Sequence, residues 1–579
     1  MNLTRSLPRP DEAGALLFLP YLAVYIIAWA LQIPVPAVTI IFWGLHALYL
    51  AWFFTAAREA GLQTLLPWLA VFVVLALPGA YLEYPSDAWE HFRRLYSWQT
   101  IPTIGTSETW HKFSYFWGWT ILGSIPIPYR RFALGLYSSF WLTFTARMIY
   151  RFALRLSDDK RAPALKTFAY LGLFGSNIFG LRYYSTSSTI LALIAFVQVE
   201  TTLLDFLQRR RKVLWTIPLL LAVMALNHAE EIILTALASA AILIGHWYEK
   251  APAPKRRLFL RAFLIACILS AVAGWVAMRI NGYFFIAHIR NTVPELTRYG
   301  SLKIWSRTGP FADTIGISGV VSLLLALVFF RQFPIEGALT IAPFFVVLCP
   351  ATALLLCWLM PTGYILYRIF YVLPFGFILV SSLLRALPFW AAGLLVAALA
   401  FPPAFPWRGR LAFLLYRAPA VREFTHLDQT ARWIKENRPG ILTCELITDD
   451  ITDWVVSTHL GRNFSRANRL APRLLTQKLD TTEKILDHAQ KHKACGVLVA
   501  RRSELPAETP SRAARLSHHW DENKGDQSWQ ISAEFEAAAA GLTNNHWTQI
   551  PVPPFYNLYE PVDHVRNHGK EFYPRSDHP

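Results

Sequence analysis

Asp87, Glu90, His91 and Arg94 are spaced i, i+3, i+4 and i+7 in a stretch that begins Tyr84-Pro85-Ser86-Asp87-Ala88-Trp89-Glu90-His91. In a helix all four share one face. Two carboxylates and an imidazole on one face can take a proton from a hydroxyl, or hold a metal that polarises a phosphate. Asp87 and Glu90 also fit the N-cap and N3 positions of a capping box, with Asp in place of Ser or Thr, and the two roles can coexist.

A second group is Asn227-His228-Ala229-Glu230-Glu231, between two apolar runs. Ionisable side chains so close to hydrocarbon are costly and are functional candidates by default. His228 with Glu230 or Glu231 could complete a proton relay, or with Asp87 a site for a divalent cation such as Mg or Mn. A solvated turn with a capped helix fits the same residues. There is no His-Glu-x-x-His pattern.

The third group is basic. Arg182 precedes Tyr183-Tyr184. Arg290, Arg298, Lys303 and Arg307 lie in one long polar loop, and Arg368 sits about one turn inside an apolar run. Guanidinium forks match phosphate oxygens. Snorkelling to lipid headgroups accounts for arginines in loops but less well for Arg368. Asp449, Asp450 and Asp453 read as helix-start carboxylates.

The elements that position these groups are membrane spans. Of 579 residues, 54% are apolar and only 16% charged, against roughly 25% charged in an average soluble protein. The net charge of +17 gathers in short loops. One cluster is Arg151, Arg155, Lys160, Arg161 and Lys166; a second is Arg209, Arg210, Arg211 and Lys212; a third is Lys250, Lys255, Arg256, Arg257 and Arg261. This is the positive-inside pattern, so lipid and not nucleic acid is the expected partner. The first run, 15–33, is too long for a signal-peptide core and reads as a retained span. About thirteen spans of ~20 residues follow from run length and loop charge. The N-terminus then lies in the cytoplasm and the tail outside. The stretch 113–128 is short and broken by Gly and Pro, and reads as re-entrant or interfacial.

Residues 1–415 form the membrane domain and 416–579 a soluble α/β domain. In the latter, helices are expected at 431–437, 451–460 and 482–492 and strands at 440–447 and 495–500, with a frayed end from about Tyr556. Cys444 and Cys495 lie in this tail and can pair if it is extracytoplasmic. Cys267, Cys349 and Cys357 lie in apolar runs. No internal repeat or Gly-rich phosphate loop is visible.

The whole is similar to the GT-C superfamily of membrane glycosyltransferases, which includes the oligosaccharyltransferase catalytic subunit, protein O-mannosyltransferases and lipid A aminoarabinose transferases. The likeness rests on Asp87 in an early external loop and on Tyr183-Tyr184-Ser185-Thr186-Ser187-Ser188 opening a span. It rests also on Tyr367-Arg368-Ile369-Phe370-Tyr371-Val372-Leu373-Pro374 and on the closing α/β domain. The resemblance implies a polytopic helical bundle that uses a polyprenyl-phosphate or polyprenyl-diphosphate sugar. It implies Asp87 as base or metal ligand, with Glu90 and His91 beside it. It implies Arg368 on the donor phosphate, helped by Arg182 or Arg290, and His228, Glu230 and Glu231 as the second acidic site. The chain departs from the family pattern. Its acidic loop follows the third span and not the first, the second external loop has no Asp-x-Asp, and the tail has no Trp-Trp-Asp.

The expected activity is therefore sugar transfer to an envelope glycan, lipid or protein on the outer face of the cytoplasmic membrane. The rivals are a transporter or flippase of a lipid-linked or anionic solute, and a non-catalytic envelope assembly protein. A transporter places its polar site near the midplane, within repeated halves, whereas the ionisable groups here read as lying at outer helix ends.

Overall fold

The computed structural model describes residues 13–60, 66–73, 95, 113–123, 125, 127–159, 161–172, 188–210, 214–280, 310–348, 352, 369, 376–400, 425–443, 445–448, 465–466, 479–501, 504 and 534–563. Asp87, Glu90, His91, Arg94, Arg182, Arg290, Arg368, Cys444 and the aspartates 449, 450 and 453 lie outside them.

The chain is mainly helical with a small C-terminal sheet. Apolar sequence with few helix breakers gives α1 (Leu19–Ala30), α2 (Val35–Ala60), α3 (Phe113–Leu122), α4 (Ile127–Arg155) and α5 (Ala162–Gly172). Then come α6 (Thr189–Leu207), α7 (Thr216–Ala225), α8 (Glu230–Lys250), α9 (Ala253–Ile280), α10 (Pro310–Phe329), α11 (Pro334–Leu348), α12 (Phe377–Ala386) and α13 (Phe389–Ala400). Among the described residues, three helical stretches are long and apolar enough to cross a membrane: Val35–Phe53, Thr189–Leu207 and Glu230–Lys250. Six more apolar helices have 10–17 residues. The protein is read as membrane-embedded on this basis, and apolar side chains such as Ile40, Leu48, Leu269 and Trp390 face outward as lipid contact requires.

The helix ends are local. Pro20 stands in the first turn of α1, where a missing N–H costs nothing. Gln32, with φ 53°, turns the chain into α2. Arg209, with φ 58°, ends α6, and Arg210 N donates to Asp205 O at 2.7 Å, which satisfies a free carbonyl. Helix α6 is the axis of the bundle; seventeen of its residues are buried. The chain enters beside it as a 3-10 turn, Gly14–Phe18. Gln198 of α6 pairs with this turn like a backbone strand, accepting from Ala15 N and donating to Ala13 O, both at 2.7 Å. Gly14 has φ +54°, and a Cβ there would lie 2.5 Å from the Gln198 amide oxygen. Only glycine fits. Helices α8 and α11 also meet at a glycine, because a Cβ on Gly245 would lie 2.5 Å from Ile335 Cα.

The tail begins with α14 (Thr425–Asn437), which packs on α4 of the bundle. The sheet has the order β2-β1-β3-β5-β4. Strands β1 (Glu445–Thr448), β2 (Ser465–Arg466) and β3 (Ala494–Ala500) are parallel. Helix α15 (Thr482–His492) lies before β3 in the chain, and β4 (Trp547–Val552) with β5 (Tyr556–Pro561) adds an antiparallel hairpin. Thr481 Oγ1 caps α15 by accepting from Lys484 N at 3.3 Å, and Lys493 in the left-handed region ends it.

Two expectations are corrected. Residues 556–561 are not frayed: they form β5, an interior strand in which Tyr556, Leu558 and Tyr559 are buried. The strand expected at 440–447 is a 3-10 turn, Pro439–Thr443, followed by the shorter β1. The expected helix at 451–460 lies outside the described residues. Cys495 is disulfide-bonded. The register pairs Glu445, which follows Cys444 in the chain, with Ala494, which precedes Cys495.

Candidate functional site

The α7–α8 turn carries the second acidic group. His228 N donates to Met224 O at 2.7 Å and Asn227 N to the same carbonyl at 3.1 Å. This closes α7 and leaves the Asn227 side chain fully buried. Its Nδ2 donates back to Val223 O at 2.8 Å. Its Oδ1 accepts from Ser114 N at 3.0 Å, and Phe113 N donates to Leu226 O at 3.4 Å. The first two amides of α3, which a helix N-terminus leaves free, are thus taken up by this turn. Helix α3 follows directly on the segment 83–112 that holds Asp87.

Glu230 and Glu231 occupy the first turn of α8, where the helix dipole favours negative charge. His228 Nδ1 is hydrogen-bonded to the Glu231 carboxylate. His228 Nε2 faces Glu230 Oε2 at 4.0 Å. Glu231 is nearly closed off, while His228 and Glu230 remain partly open, at 15% and 24% exposure. A carboxylate on one ring nitrogen fixes the imidazole's tautomer and orientation and leaves the other nitrogen to accept a proton. This is the geometry of a general base. Helix α8 carries it about 31 Å from Lys250, where the third basic cluster begins.

Two of the three expected cation ligands, His228 and Glu231, are adjacent, but Glu231 already holds the ring. Among the described residues no group of three or more His, Cys, Asp or Glu side chains is placed to hold a metal. Asp87, the third expected ligand, lies outside them.

Sequence reasoning placed the ionisable groups at outer helix ends. The bundle interior holds several more. Lys166, read as a loop charge, is 1% exposed and is ion-paired with Glu336. Its Nζ also donates to Leu156 O at 2.7 Å and Ser157 Oγ at 2.8 Å, so all three ammonium protons are used. Arg155 is paired with Asp205 of α6. These contacts fasten the α4–α5 turn to α6 and α11. Glu200 lies inside α6, 1% exposed, and accepts from Ser239 Oγ of α8 at 2.9 Å. His46 of α2 joins α1 to α3: its Nδ1 pairs with Tyr21 OH at 2.8 Å and its Nε2 with Thr120 Oγ1 at 3.0 Å. Each stands inside an apolar run or at its edge, and that position was the available signal.

In the tail, the His488 and His492 rings lie together, tilted by 31° with centroids 4.2 Å apart. Burial, then the neighbouring His492, holds the His488 imidazole below the usual histidine range.

The fold and site define a helical membrane protein with a small mixed-sheet domain and a His–carboxylate pair at a helix turn. No protein-family model and no curated protein sequence matches the chain.

Proposed function

We propose that the protein is a GT-C-like glycosyltransferase of the cytoplasmic membrane. It has about thirteen spans, a cytoplasmic N-terminus and an extracytoplasmic C-terminal domain. It moves a sugar from a polyprenyl-phosphate or polyprenyl-diphosphate donor to an envelope glycan, lipid or protein. The observation that carries the reading is the junction of Asn227 with Ser114. It sets the turn that carries the His228–Glu231 pair against the start of α3, which follows the Asp87 loop in sequence. Asp87, with Glu90 and His91, activates the acceptor hydroxyl with help from His228. Arg368, with Arg182 or Arg290, holds the donor phosphate; a divalent cation would be held by Asp87, His228 and Glu231 and would polarise that phosphate. The disulfide at Cys495 supports a tail outside the reducing cytoplasm.

A transporter of a lipid-linked or anionic solute is the second reading. The buried Glu200 and the Lys166–Glu336 pair favour it, because transporters carry ionisable groups inside the bundle. The test is the envelope glycan and lipid profile of cells that carry Asp87→Asn at normal protein abundance. Loss of one glycan modification supports transfer, and an unchanged envelope overturns it.

A further inference from the structure

We propose that Glu200 is a proton-exchanging carboxyl group, joined to the His228–Glu231 pair by a polar stripe on α8. Glu231, Thr235 and Ser239 stand at i, i+4 and i+8 and so share one face of that helix. The eight steps from Glu231 to Ser239 cover about 12 Å. Glu231 is 2% and Thr235 4% exposed. The upper end of the stripe is the bond between His228 Nδ1 and Glu231. Thr235 Oγ1 donates to Glu231 O at 2.6 Å. At the lower end Ser239 Oγ donates to Glu200 Oε1 at 2.9 Å. The other carboxyl oxygen, Oε2, is buried and has no protein partner among the described residues.

No basic side chain among the described residues is paired with Glu200. An ionised carboxyl group without a counter-charge in apolar surroundings is expensive. A proton removes that cost, because it neutralises the group and gives it a donor. The proton is therefore the ligand this site is built to take. Neighbouring side chains one turn apart along the stripe are about 5–6 Å apart at Cβ, a gap short enough for one water to span. The transfer changes only O–H and N–H bonds. Each hydroxyl along the stripe gives up one proton as it receives another, and Glu200 gives up its own proton as it takes the one that arrives, so it stays neutral. Nothing is oxidised or reduced.

The use of this proton rests on the glycosyl-transfer reading, whereas its presence does not. The experiment is infrared spectroscopy of the purified full-length protein. Wild type should show a carboxylic-acid C=O band that is lost in Glu200→Gln and shifts when water is replaced by deuterium oxide. Thr235→Val should keep the band but slow its shift several-fold. A spectrum in which Glu200→Gln loses no such band overturns the proposal, as does a shift equally fast in Thr235→Val. If Glu200→Gln does not fold, a membrane-soluble carbodiimide applied to wild type replaces it. Modification of the Glu200 peptide supports the proposal, and an unmodified peptide overturns it. Neither readout depends on sugar transfer, so absent glycosyl activity leaves this inference standing or falling on its own.

Discussion

Asn227 and Ser114 meet across 113 residues of chain, the asparagine Oδ1 accepting from the serine amide at 3.0 Å. The contact fixes the helix that follows the acidic loop against the turn that carries His228. Asn227 meets two backbone groups and is fully buried. Asn227→Ala leaves the Ser114 amide and Val223 carbonyl without that partner, which costs about 1–3 kcal/mol per buried group. Asn227→Asp keeps the acceptor but loses the donor and places an ionisable carboxyl group in a fully buried site. Thermal unfolding in detergent should therefore rank wild type above both Asn227→Ala and Asn227→Asp. Equal Tm values for the three would contradict this role.

The Lys166–Glu336 pair is buried on both sides. Removing one partner strands a charge at a cost of about 3–5 kcal/mol, while replacing both with apolar groups is often neutral. Lys166→Met and Glu336→Leu should each lower yield and Tm, and the double variant should recover much of the loss. A double variant worse than either single one would show that the charges themselves are needed.

His488 gives the tail a pH dependence. Its folded-state value lies below the usual histidine range because the ring is buried, beside His492. The unfolded chain then binds a proton more readily, so stability falls as pH drops below about 6.5. The loss continues down to the lower folded-state value. His488→Gln should flatten that dependence, as read by thermal unfolding between pH 7.5 and pH 5.

Helix α15 was legible in the sequence because its signals are local. Thr481 offers a capping oxygen, and Lys491 and His492 fill the last turn. Thr481→Ala should cost about 1 kcal/mol in chemical denaturation of the tail. Strand β5 was not legible. Asn557 and Glu560 make its sequence look polar, yet its burial comes from β3 and β4, which lie beside it only in the folded sheet. Lys166 misled for a similar reason. Beside Arg161 it reads as a loop charge, and only Glu336, 170 residues away, shows why it can be buried. At the site, the types and spacing of His228, Glu230 and Glu231 were readable, and so was their candidacy. Which carboxylate holds the ring was not, because that depends on how the chain turns at Asn227.

The central claim is chemical transfer assisted by His228 at the α7–α8 turn. The direct test adds purified protein to envelope membranes from cells that lack it, so that donor and acceptor are both present. Wild type should form a new sugar–acceptor bond, and His228→Ala should form it about 10²-fold or more slowly, the usual cost of losing a general base. Movement of a lipid-linked sugar across the bilayer with no bond formed, or a wild-type rate in His228→Ala, would contradict the claim.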